Sequence, residues 1–141
     1  MLRRPALLAL ALLLGAGCAG TPRCDQAPTR VQLLLVNDVY LLEPRADGTG
    51  GLARVATLGR GLRREQPNTL FVLAGDTLSP SLLSTLFRGR QLVEAWNLLE
   101  LDAATFGNHE FDWGPAVLRE RMLESRFLWL SANVLDRRTR R

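Results

Sequence analysis

The sequence predicts an α/β fold of parallel βαβ units, with helices on the outer face of the sheet. Three observations carry the prediction. Short apolar runs alternate with longer segments of helical periodicity, and the first three runs lead directly into Asn, Asp or Gly. The composition, 47% hydrophobic and 23% charged over 141 residues, is that of a chain that buries a core.

The first run, residues 31–36, is short and β-branched at its ends, as buried strands are, and Asn37 and Asp38 terminate it. Residues 50–65 follow a Gly-rich turn and put Leu52, Val55, Ala56 and Leu62 on one helical face, weakened by Gly59 and Gly61. A second buried strand, 69–74, ends at Gly75-Asp76. Ser79 and Ser81 are then candidate caps for a helical region reaching about Leu99 and interrupted near Gly89. A weaker strand at 103–106 delivers Gly107-Asn108-His109. Gly114-Pro115 opens a helix with Val117, Leu118, Met122 and Leu123 turned inward, and 127–132 reads as a fourth strand. Ligand sites in such sheets gather outside the carboxyl ends of strands, which is where Asp38, Asp76 and Asn108 fall.

Ahead of the globular part, Arg3 and Arg4, the apolar stretch 7–14 and the small residues Gly15-Ala16-Gly17 form an export signal over 1–17, too short to span a bilayer. Cys18 follows directly, so residues 14–18 resemble a lipobox. Lipidation of Cys18 would anchor the chain to the membrane in the periplasm. The alternative is ordinary cleavage a residue or two later, giving a soluble periplasmic or secreted form. Residues 18–30, with Cys24, read as a tether.

All 18 basic residues are Arg, six of them crowded at the two ends, so the interior is close to neutral despite a net charge of +4. It offers no basic stripe interleaved with aromatics, which excludes a nucleic-acid polymer as partner. Trp96, Trp113 and Trp129 read as core or rim.

Hydrolysis of a phosphate ester by a metal pair needs hard oxygen ligands, a group bridging two divalent ions about 3.5–4 Å apart, and an acid for the leaving oxygen. Asp38 is a carboxylate at a strand end, Asp76 a natural bridge after a glycine, and Asn108 an amide oxygen donor. His109, the only histidine, is the proton donor, and Asp112 lies close enough to accept its imidazole N–H. Tyr40 either touches metal or phosphate or stands behind the ligands. Glu110 reads as solvated and Phe111 as packed, neither with a chemical role.

The blocks Asn37-Asp38-Val39-Tyr40, Gly50 to Arg54, Ala74-Gly75-Asp76-Thr77 and Gly107 to Asp112 resemble the 5'-nucleotidase branch of the calcineurin-like metallophosphoesterases. The resemblance implies a sandwich of two sheets flanked by helices, of which 31–141 is the amino-terminal part. It also implies two divalent metal ions (Mn, Zn, Mg, Ca or Fe) and a nucleotide or related phosphate ester as substrate. Asp38 would bind the first metal, Asp76 bridge, Asn108 bind the second, and His109 with Asp112 form the catalytic dyad. Most of the superfamily has Asp-x-His in the first block, where this chain has Tyr40. The family also draws further histidines from a later part of the domain, and the sequence stops before any of them. Three oxygen ligands would leave water in most positions of two metal shells, so weak metal binding and little activity are expected. The alternative expectation is a truncated, non-catalytic lipoprotein or binding remnant of the same fold.

Overall fold

The computed structural model describes residues 29–139; the export signal, Cys18 and Cys24 lie outside the described residues. Among the described residues four strands form one sheet in the order β1-β2-β3-β4: β1 (Gln32–Val36), β2 (Thr69–Leu73), β3 (Ala103–Ala104) and β4 (Leu128–Trp129). Every pairing is parallel, with Val36 opposite Leu73, Leu73 opposite Ala104, and Ala104 opposite Trp129. Helix α1 (Leu52–Glu65) joins β1 to β2, α2 (Leu82–Phe87) and α3 (Arg90–Leu98) join β2 to β3, and α4 (Gly114–Glu124) joins β3 to β4. No helix among the described residues is long and apolar enough to cross a membrane.

The core lies between the sheet and the helices. Leu52 and Val55 of α1 and Leu92 and Trp96 of α3 pack with Leu34, Val36, Phe71, Leu73 and Ala104, the alternate positions that share one face of the strands. Gly59 is buried at this face; a β-carbon there would sit 3.6 Å from Leu34, so the glycine that weakens the helix by propensity also lets it lie close to β1. Trp96 is fully buried with its edge against Phe71, and its indole N–H donates to the Thr77 hydroxyl at 2.9 Å. A second cluster joins Leu78, Val93 and Leu118 under Phe106.

Several expectations are corrected. The strands at 103–106 and 127–132 each shorten to two paired residues, because β3 and β4 leave the sheet once their neighbours' ladders end. In α4, Val117 and Leu118 face inward, but Met122 and Leu123 are 36% and 87% exposed, and Arg121 takes the buried position instead. Its guanidinium donates to the Phe87 and Arg88 carbonyls at the end of α2 and pairs with Glu124. The helical region splits at Arg88 and Gly89, both left-handed, and Ser81 caps α2 by accepting the Ser84 N–H at 3.0 Å, whereas Ser79 caps nothing. Among the described residues the strands are covered on one face only: Leu33, Leu35, Leu70, Leu128 and Leu130, on the side away from the helices, are 46–65% exposed.

Candidate active site

Three loops leave the carboxyl ends of β1, β2 and β3 side by side. Asp38 and Asp76 sit in left-handed backbone, with φ of 55° and 60°, an uncommon conformation for a residue with a β-carbon. The Asp38 N–H donates to the Gly75 carbonyl at 3.2 Å, tying the first loop to the second. A β-carbon on Gly75 would lie 2.4 Å from the Gly107 nitrogen, and one on Gly107 would lie 2.1 Å from Asp76 Oδ1, so only this glycine pair lets the second and third loops touch. Across that contact Asp76 Oδ1 accepts the His109 N–H at 2.8 Å.

The structure thus brings Asp38, Asp76, Asn108, His109, Asp112 and Tyr40 to one rim of the sheet. The Tyr40 hydroxyl donates to Asp38 Oδ1 at 2.7 Å, and the Asn37 amide donates to Oδ2. These bonds, Tyr40's first, hold the Asp38 carboxyl below the usual carboxylate range. The tyrosine ring meets the His109 ring edge-on, 5.7 Å between centroids. Its phenol is pushed well above its ordinary value by desolvation and by the hydrogen bond to Asp38, so it stays neutral. Asn108 is exposed and His109 partly so.

His109 Nδ1 lies 2.7 Å from Asp112 Oδ2. That hydrogen bond raises the imidazole above its ordinary 6.5, against the opposing effect of desolvation, and the same bond lowers Asp112. Ser79, 2% exposed, donates its hydroxyl to the same carboxylate oxygen, making a Ser79-Asp112-His109 chain that the sequence reading missed. Ser79 had looked like a helix cap because it lies two residues before the true one.

Glu110 is the larger miss. Read as solvated, it is 1% exposed, and its carboxylate accepts the backbone N–H groups of Asp76 and Thr77 in the second loop and of Gly107 in its own. No periodicity marks such a residue: apart from Gly107, its donors belong to a turn more than thirty positions upstream. Phe111 is half exposed, its ring 6.0 Å from that of Phe106.

The oxygen donors Asp38, Asp76 and Asn108 are hard ligands suited to a divalent ion. They are sparse: among the described residues no group of three or more His, Cys, Asp or Glu side chains stands close enough to hold a metal. A cavity of about 380 Å³ opens beside Asp38, lined by Tyr40, Glu43, Arg45 and Gly51 among others, and another of about 390 Å³ lies beside Ser79, Asp112 and Trp113.

Comparison with known proteins identifies the family of this fold. The calcineurin-like phosphoesterase family matches residues 31–138. The chain is 36% identical over 117 residues to the 5'-nucleotidase of Mus musculus, covering 74% of this chain and 20% of that protein. It is 35% identical to the Bos taurus 5'-nucleotidase, covering 94% and 24%. Among solved structures, the NAD nucleotidase of Haemophilus influenzae superposes with a TM-score of 0.69 at 31% identity, covering 77% of this chain and 22% of that one. The 5'-nucleotidase precursor of Thermus thermophilus gives 0.68 at 32%, covering 73% and 22%. The chain therefore spans about a fifth to a quarter of the length of these relatives. With the matched region taking in all four strands and the whole of the loop cluster, this chain belongs to the calcineurin-like phosphoesterase family.

Proposed function

We propose that the chain contributes metal ligands and the proton-donating dyad to a divalent-metal phosphomonoesterase of the 5'-nucleotidase kind, acting on nucleoside monophosphates or related phosphate esters. The observation that carries the reading is the meeting of Asp38, Asp76, Asn108 and the His109-Asp112 pair at one rim, closed by the 2.8 Å bond from the His109 N–H to Asp76. Asp38, Asp76 and Asn108 would hold the ions, Asp76 between them. Bound divalent ions supply Lewis-acid polarisation of the phosphoryl group and an activated water.

The chain's own residues do the rest. Asp112 accepts the Nδ1 proton, so Nε2 is the nitrogen that hands a proton to the leaving alkoxide. The raised imidazole value keeps that proton in place to higher pH than for an unpaired histidine. Ser79 holds Asp112 from behind, and Tyr40 fixes Asp38 by a hydrogen bond and no charge. Relatives described as 5'-nucleotidases and as an NAD nucleotidase support a nucleotide substrate. Residues 1–17 would direct export, 18–30 tether the catalytic part, 31–141, to a lipid at Cys18, and a bacterial relative is likewise described as a precursor.

The test is AMP hydrolysis with Mn²⁺ or Zn²⁺ by the protein as its gene encodes it. Asp76→Ala and His109→Ala are expected to abolish turnover, and unaltered rates would sink the assignment. Mn²⁺ uptake without turnover in the unsubstituted protein would favour a non-catalytic binding role.

A further inference from the structure

Glu110 has no place in the chemistry derived above, yet its side chain is among the most completely buried in the protein. A carboxylate withdrawn from water is tolerated only where donors meet its oxygens. Here they are backbone N–H groups: Oε2 accepts from Asp76 at 2.8 Å and Gly107 at 2.6 Å, Oε1 from Thr77 at 2.7 Å and, more distantly, Leu78 at 3.4 Å. The arrangement is reciprocal. Glu110 of the third loop binds the backbone around Asp76, while the Asp76 carboxylate binds the backbone of His109, and Asn108 lies between the two bonded residues of its loop.

We propose that Glu110 is a positioning residue whose buried carboxylate sets the spacing of the second and third loops, so that Asp76, Asn108 and His109 are arranged for a divalent ion before it arrives. The proposal rests on the reading of Asp76 and Asn108 as metal ligands. Groups behind a ligand shell typically alter metal affinity by about 10–100-fold when removed.

Two measurements on the whole chain test it. Without metal, the amides of Asp76, Thr77 and Gly107 are expected to exchange slowly with solvent in the unsubstituted protein. Glu110→Gln keeps the shape but turns an NH₂ group toward two N–H donors; it should speed exchange at these amides and leave Phe71 and Leu73 in β2 unchanged. By calorimetry with Mn²⁺ alone, Glu110→Gln should weaken binding about 10–100-fold, and Glu110→Asp, with the charge but a shorter reach, by less. Unprotected amides in the unsubstituted protein would overturn the proposal. So would Glu110→Gln with unchanged Mn²⁺ affinity, or exchange raised equally in β2, which marks a merely structural residue. Should the unsubstituted chain take up no Mn²⁺, the metal reading fails and the amide exchange alone decides the clamp. If Glu110→Gln does not fold, Glu110→Asp and the unsubstituted protein decide it.

Discussion

Two aspartates in left-handed backbone and two glycines in contact account for the precision of the loop cluster. A non-glycine residue at positive φ costs about 1–3 kcal/mol and persists only where its surroundings hold it. Asp38 is held by the Gly75 carbonyl and Tyr40, Asp76 by Glu110 and His109. Gly107→Ala probes this directly, since its β-carbon falls on the Asp76 carboxylate. It is expected to leave the circular dichroism of the helices unchanged while cutting phosphoester turnover by roughly 100-fold, the usual effect of a displacement near 1 Å. The aspartates were legible in the sequence because each ends an apolar run. Glu110 and Ser79 were not, because their partners are set by how loops from different strands pack.

Among the elements, α3 is tied to the site through one hydroxyl: Thr77 accepts the Trp96 N–H and donates to the Val39 carbonyl, both at 2.9 Å, so the core helix, the Asp76 loop and the Asp38 loop share one hydrogen-bonded path. Helix α4 is tied at its outer side by Arg119, which bonds Asp136 at 2.7 Å. The N–H groups of Arg138 and Thr139, and then Arg119, hold Asp136 below the ordinary 3.8. A depressed carboxyl contributes stability above the unfolded-state value and loses it as pH falls through the folded-state value. Asp136→Asn is therefore expected to speed amide exchange at Arg138 and Thr139 near neutral pH, with the difference from the unsubstituted chain vanishing below the folded-state value. A difference that persists or grows in acid would contradict this. The long elements were read correctly from periodicity, α1 to its final residue, and the break before α3 from Gly89. The inward face of α4 was misread because Arg121 buries itself by bonding backbone carbonyls and Glu124, leaving Met122 and Leu123 outside.

At the scale of the fold, the apolar runs of β1 and β2 look fully buried in sequence, yet among the described residues the packed helices lie on one side of the sheet. A run that is apolar at every position does not say what covers its second face. Leu33, Leu35, Leu70, Leu128 and Leu130 consequently stand open to solvent as a band across the strands, and such bands drive association. The 141-residue chain is expected to self-associate with rising concentration, and Leu35→Thr with Leu128→Thr to shift its sedimentation toward the monomer; a strictly monomeric unsubstituted chain would refute this.

The strands follow one another in sequence order and point the same way, so every crossover returns to the rim opposite the loop cluster. Length can be added at that far rim, for example after the exposed Pro67, without moving Asp38, Asp76 or Asn108. One residue added between Leu73 and Asp76 would instead carry the carboxylate about 3.3 Å along the strand direction and turn it to the other side. The topology therefore divides the chain into a rim free to vary in length and a rim that must be counted residue by residue.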